Sequence, residues 1–179
     1  MKIGLMVGSL RKESYNRKIA EVVKSLLPED MEADFVEIKD VPMYNPDDEE
    51  RHAEVFSNLR EAMREKDAYL FFIPEYNRSY APAIKNALDI CSVDPKGSPL
   101  RGKPAGVFSA SMGGMGGMAA NHAIRQSFTF LDLMPLQQPE VYLGRIDTLF
   151  NEGELVEDTK AFIKEAVDAY VAFAKKILK

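Results

Sequence analysis

Apolar positions along the chain follow two alternating patterns. Short continuous or alternating runs predict strands at Lys2–Val7, Ala33–Ile38, Ala68–Ile73 and Lys103–Ser109. Longer stretches with apolar residues three and four apart predict helices at Asn16–Leu27, His52–Arg64, Ala81–Ser92, Met115–Leu131 and Val156–Leu178. A last strand falls between Leu133 and Leu143, interrupted by Pro135 and Pro139. Strands and helices therefore alternate five times, which calls for a parallel sheet covered by helices on both faces. Five strands favour the doubly wound order 2-1-3-4-5 over the six-stranded alternative. The run Ala68–Ile73 (AYLFFI) is apolar throughout, as expected of a strand buried on both faces. No internal repeat or linker divides the chain, so residues 1–179 are expected to form one domain.

Composition adds limits rather than detail. The chain is 46% hydrophobic and 28% charged, ordinary for a globular protein. No apolar run approaches the ~20 residues that span a bilayer, and the basic turn at Arg11 and Lys12 comes too soon for a secretory leader. One cysteine, Cys91, rules out an internal disulfide framework and favours a reducing cytoplasm. A net charge of −5 disfavours nucleic acid and anionic membranes as partners.

Three loops at expected strand carboxyl ends carry the chemistry, the position where open parallel sheets bind ligands. The first, Gly8 to Arg17, feeds a helix N-terminus, where free N–H groups and the positive dipole end favour an anion. Ser9, Ser14 and Asn16 add neutral donors, Tyr15 sits among them, and Arg11 can fork onto a phosphate. Helix capping explains one of these residues but not the set. The nucleotide-hydrolysing pattern G-x-x-x-x-G-K-[ST] is absent. The second loop places Pro74, Glu75, Tyr76, Asn77 and Ser79 where the third strand leaves the sheet. The third runs from Ser111 through Met112, Gly113 and Gly114 to Gly117. Read from Gly114 it satisfies G-x-G-x-x-A, but the dinucleotide fingerprint belongs to the first strand–helix turn, not the fourth. So many glycines suggest instead a close backbone approach to a flat ligand, with a flexible loop as the alternative.

The segments GSLRKESYNR at 8–17, PEYNRS at 74–79, KNALD at 85–89, SMGGMGG at 111–117 and RQSFTFLD at 125–132 together resemble the NADPH-dependent FMN reductase family. The resemblance runs from Lys2 to about Gly144 and implies a flavodoxin-like α/β three-layer sandwich. It implies that Ser9, Arg11, Ser14 and Asn16 hold an FMN phosphate. Pro74, Glu75, Tyr76 and Asn77 would line the isoalloxazine, with Ser111, Gly113 and Gly114 closing its other side. The implied activity moves a hydride from NADPH or NADH to FMN and then passes electrons to a small-molecule acceptor: a quinone, azo or nitro compound, chromate or free flavin. No side chain need act as acid, base or nucleophile, because the cofactor carries the chemistry. The family also implies a homodimer or homotetramer, and the final helix has more apolar positions than one buried stripe requires.

Two departures stand out: Ala81 where the family usually has proline, and Ile90 where it often has tryptophan. A flavodoxin-type electron carrier without NAD(P)H turnover is the main alternative, disfavoured by Arg11, Lys12 and Arg17 around the first loop. A redox-sensing or scaffolding protein that uses flavin only as a ligand is a third. Cys91 falls on an apolar helix face and reads as packing. His52 and His122 read as surface residues, and no His, Cys or carboxylate cluster has metal-ligand spacing. Met112, Met115 and Met118 suit either an adaptable pocket wall or core filling.

Overall fold

The computed structural model describes residues 1–179. Strands β1 (Lys2–Val7), β2 (Glu32–Phe35), β3 (Ala68–Ile73) and β4 (Pro104–Ala110) lie in the order β2-β1-β3-β4, all parallel. Two short strands share the outer edge of β4. β5 (Met134–Pro135) pairs with its start, and β6 (Val141–Leu143) with its end. The fifth strand is therefore split by the proline-containing segment between them, and otherwise the order is the expected 2-1-3-4-5. This is the flavodoxin-like arrangement.

Helices α1 (Tyr15–Leu26), α2 (Ala53–Arg64), α3 (Pro82–Ser92), α4 (Met118–Leu131) and α5 (Glu157–Ile177) cover the sheet. Alternation along β3 divides the core into two layers. Leu70 and Phe72 join the side packed by α1 and α5, whereas Tyr69, Phe71 and Ile73 join the side packed by α2, α3 and α4. Each layer has 23 buried residues, so neither face of the sheet is left open. The hydroxyls of both central tyrosines are satisfied. Tyr69 donates to the Met63 carbonyl at 2.6 Å and Tyr170 to the Tyr69 carbonyl at 2.9 Å.

The apolar face of α5 is consumed internally by Ile163, Ala166, Val167, Tyr170, Val171 and Ala174. Of its remaining large apolar residues, Phe162 packs partly against the same core, while Phe173 and Ile177 stay half-buried. The most exposed large apolar side chain is Phe130 near the end of α4, at 85%. No helix is long and apolar enough to cross a membrane.

Candidate functional site

The first loop leaves the sheet at Gly8, whose N–H still bonds the Phe72 carbonyl at 2.8 Å. From Ser9 to Ser14 no backbone N–H donates to any acceptor in the protein. Six consecutive free donors then run into the first turn of α1, whose own leading N–H groups are unpaired by helix geometry. Ser14 is the N-cap of that helix: its Oγ accepts from Arg17 N at 3.1 Å, leaving its hydroxyl proton free. Asn16 is 6% exposed and donates from Nδ2 to the Ala110 carbonyl at 3.3 Å, tying α1 to the end of β4. Its amide is thus spent on positioning the loop.

The cations of this loop separate into two groups. Arg17 turns away, bonded to Glu21 at 3.3 Å and Glu37 at 3.1 Å, with its guanidinium 3.4 Å from the Phe35 ring centroid. Lys18 faces Glu13 at 3.6 Å. Arg11 and Lys12 are exposed and make no ion pair. Sequence reading grouped Arg17 with them because the charge that diverts it, Glu37, lies twenty positions further along the chain.

The second loop is a small hairpin. Glu75–Tyr76 pairs antiparallel with Ser79–Tyr80 across Asn77 and Arg78, both at positive φ (51° and 66°), as a tight two-residue turn demands. The Tyr80 hydroxyl sits 2.7 Å from Ser127 Oγ and pins the hairpin to α4. The Glu75 carboxylate accepts from Ala120 N at 3.3 Å, supplying α4 with the N-terminal acceptor that its glycine N-cap lacks.

The glycine-rich loop is not flexible filler. Gly116 and Gly117 have positive φ, and a Cβ on Gly116 would sit 2.5 Å from the Tyr142 carbonyl carbon. Gly144 packs equally closely on Gly114 from the other side. The close approach inferred from sequence is therefore, at these positions, an approach of protein backbone. Gly113 and Gly114 differ: a Cβ on Gly114 meets nothing within 4 Å, and one on Gly113 only Ser111 Oγ at 3.7 Å. Ser111 is held by the chain after β6, with its N–H on the Leu143 carbonyl at 3.1 Å and its carbonyl receiving Ile146 N at 3.2 Å.

These loops enclose a cavity of about 400 Å³. Ser9, Arg11, Ser14, Tyr15 and Asn16 line one end; Pro74, Glu75 and Tyr76 meet Ser111, Met112 and Gly113 at the other. A wider opening of about 630 Å³ continues past Glu75, Asn77, Ser111, Gly113 and Gly114. Ser79, paired with Tyr76 across the hairpin, lines neither and is exposed. Glu13, Ala110 and Ile146 also line the cavity, and Arg78, Met115 and Gly117 the opening. Sequence reading missed Ile146, which arrives on a short turn with no periodic signal. Cys91 is fully buried away from the cavity, and burial pushes its thiol up to about 12. His122 is also outside it, sharing a 3.2 Å hydrogen bond with the Tyr142 hydroxyl. No group of three or more His, Cys, Asp or Glu is placed to hold a metal ion.

One end of this cavity is thus rich in free N–H groups beside the Arg11 guanidinium, and the other has accessible backbone and an open rim. That suits an elongated ligand with a phosphate at one end and a flat ring at the other. A family profile described as NADPH-dependent FMN reductase matches residues 1–148. This chain belongs to that family. It is accordingly an oxidoreductase that takes FMN as cofactor and NAD(P)H as donor. The chain is 45% identical over 175 residues to a quinone reductase of Pseudomonas putida, covering 97% of this chain and 94% of that protein. It is 35% identical to a 2-hydroxy-1,4-benzoquinone reductase of a Burkholderia species, covering 98% and 97%. Among solved structures, FerB, a flavoenzyme NAD(P)H:(acceptor) oxidoreductase from Paracoccus denitrificans, superimposes with a TM-score of 0.89 at 32% identity. That match covers 98% of this chain and 97% of FerB.

Proposed function

We propose that this FMN reductase family member is an NAD(P)H:quinone oxidoreductase whose flavin lies in the 400 Å³ cavity. The observation that carries the reading is the row of six free N–H groups from Ser9 to Ser14, beside unpaired Arg11 and opening into the same cavity as Pro74–Tyr76 and Ser111–Gly113. In this reading Ser9, Arg11, Ser14 and the surrounding backbone hold the phosphate, while Tyr15 and Asn16 shape and fix that end. Pro74, Glu75, Tyr76 and Asn77 flank one side of the ring, and Ser111, Met112, Gly113 and Gly114 the other. When bound, FMN supplies the two-electron relay between nicotinamide and acceptor. The chain contributes binding, orientation and access. Tyr76 and Met112, 46% and 57% exposed at the rim, leave room for a flat acceptor and give it polarisable contact. Quinones are favoured as acceptors by the names of the two relatives above, and the exposed Phe130 suits assembly into a homo-oligomer.

The test is the visible spectrum of the purified protein, before and after anaerobic NADPH. A flavin spectrum that bleaches with NADPH and recovers with a benzoquinone is expected. A flavin spectrum that answers to dithionite but to neither nicotinamide would mark an electron carrier instead. Arg11→Ala should weaken FMN binding by about 1–3 kcal/mol, the scale of a charge-assisted hydrogen bond. Unchanged FMN affinity in that variant would remove the phosphate assignment.

A further inference from the structure

A second recess, of about 260 Å³, lies on the other side of the first loop, between the carboxyl ends of β1 and β2. Its floor is apolar: Val7, Val36 and Ile38 are buried there and Phe35 completes the wall. Its rim is cationic. Arg11, Lys12 and Lys39 line it, all exposed, and none is paired with an acid.

The one acid that lines the recess is already occupied. Glu37 is bonded to Arg17 at 3.1 Å, and Glu13 faces Lys18 at 3.6 Å. With Arg11 committed to the flavin phosphate, Lys12 and Lys39 remain uncompensated around the recess, which on a chain of net charge −5 favours an anion there. An inorganic ion would leave the apolar floor unused. A ligand with both a flat apolar ring and a phosphate uses floor and rim together. The volume lies just below the roughly 300–1,000 Å³ of pockets that take whole small molecules, which suits half of a dinucleotide.

We propose that this recess takes the 2′-phosphorylated adenosine end of NADPH, with Lys12 and Lys39 on the 2′-phosphate, and so sets a preference for NADPH over NADH. The proposal rests on the flavin reading above, because Ser9 and Arg11 line both cavities and a donor crossing that shared wall would join the two. Glu37 stands just past β2, where dinucleotide-binding sheets place an acid to receive an unphosphorylated ribose 2′-hydroxyl. Its bond to Arg17 withdraws it from that task and lowers the repulsion a 2′-phosphate would meet.

The experiment titrates FMN-loaded protein calorimetrically with adenosine 2′,5′-bisphosphate and, separately, with adenosine 5′-monophosphate. Wild type is compared with the double variant Lys12→Gln/Lys39→Gln. Wild type should bind the bisphosphate about 10- to 100-fold more tightly, the range of a charge-assisted hydrogen bond to a phosphate. The double variant should lose most of that margin. In steady state its KM for NADPH should rise by a similar factor, while KM for NADH and kcat with either donor stay near wild type. Equal affinity of wild type for the two nucleotides would overturn the proposal, as would a double variant that keeps the wild-type margin. FMN titration of the same samples keeps the two readings apart. Normal FMN uptake without bisphosphate preference overturns the recess alone, whereas absent FMN uptake overturns the flavin reading.

Discussion

At the scale of single residues, the glycine-rich loop shows how one composition serves two purposes. Gly116 has a φ of 61° and no room for a Cβ against the Tyr142 backbone. Gly114 has neither constraint. Gly116→Ala should therefore lower stability by about 2–4 kcal/mol, combining left-handed strain with a contact against main chain that cannot rotate away. Gly114→Ala should stay within about 0.5 kcal/mol of wild type. Urea unfolding of both variants decides the point, and equal destabilisation would mean that the loop does not bear on the Tyr142–Gly144 segment as described. Sequence alone showed that this loop needed glycine but not which glycines, because the atoms that crowd Gly116 arrive more than twenty residues later. The same limit applied to Ser14 and Asn16. Both residue types pointed to an anion site, yet Asn16 spends its amide on Ala110, a partner no local pattern reveals.

At the scale of elements, strong periodicity was legible and short pieces were not. The strand Ala68–Ile73 and all five helices stood out because each carries enough apolar positions to set a period. The hairpin from Glu75 to Tyr80 did not, since two-residue strands have none. Alternation at Val36 and Ile38 predicts a second strand reaching Ile38. Its ladder with β1 instead ends at Leu5 and Phe35, with a last bond from Val36 N to the Leu5 carbonyl, while β1 continues beside β3 to Val7. Likewise α4 begins at Met118 rather than Met115, because Gly116 and Gly117 adopt positive φ. The hairpin matters more than its size suggests. Glu75 caps α4 across the site, so the loop expected to line the ring also fixes the helix behind the glycine-rich loop. Glu75→Ala should cost about 0.5–2 kcal/mol, the usual value of an N-terminal cap with some dipole contribution. Glu75→Gln, which keeps an acceptor oxygen, should retain much of the stability but lose the dipole share. Thermal unfolding of the two variants measures the difference. An alanine variant as stable as wild type would show that the contact to Ala120 N carries no weight.

At the scale of the whole molecule, the sheet order and three layers followed from counting alternations, because a parallel sheet of buried strands leaves few topologies. What counting cannot show is which polar groups the two layers enclose. Tyr69 and Cys91 lie in the layer under α2, α3 and α4, and Tyr170 lies in the other. Burial raises the ionisation of all three, the thiol to about 12 and both phenols upward from their ordinary value. Each folded-state value lies above that of the unfolded chain, so the native protein keeps its protons after the unfolded chain has released them. This contribution is fully present below the unfolded values, about 8.5 for cysteine and 10 for tyrosine, and is lost as pH rises above them. One group changes stability by about 1.4 kcal/mol per pH unit. Of these three only Cys91 acts between about pH 9 and 10, opposed there by Lys103, whose burial lowers its ammonium below the ordinary lysine value. All three act above pH 10, where their combined slope should steepen to about 4 kcal/mol per unit. A domain with about 5–15 kcal/mol in hand would then unfold cooperatively before its buried tyrosines ionise in place. Urea midpoints taken from pH 8 to 11 should show a shallow decline that becomes steep near pH 10. Phenolate absorbance from the buried pair should appear only with unfolding. Cys91→Ala should flatten the curve between pH 9 and 10 and reduce the later slope by about a third. A midpoint at pH 11 equal to that at pH 9 would mean that these groups ionise freely in the folded state, and that the two layers are not as closed as the packing of β3 requires.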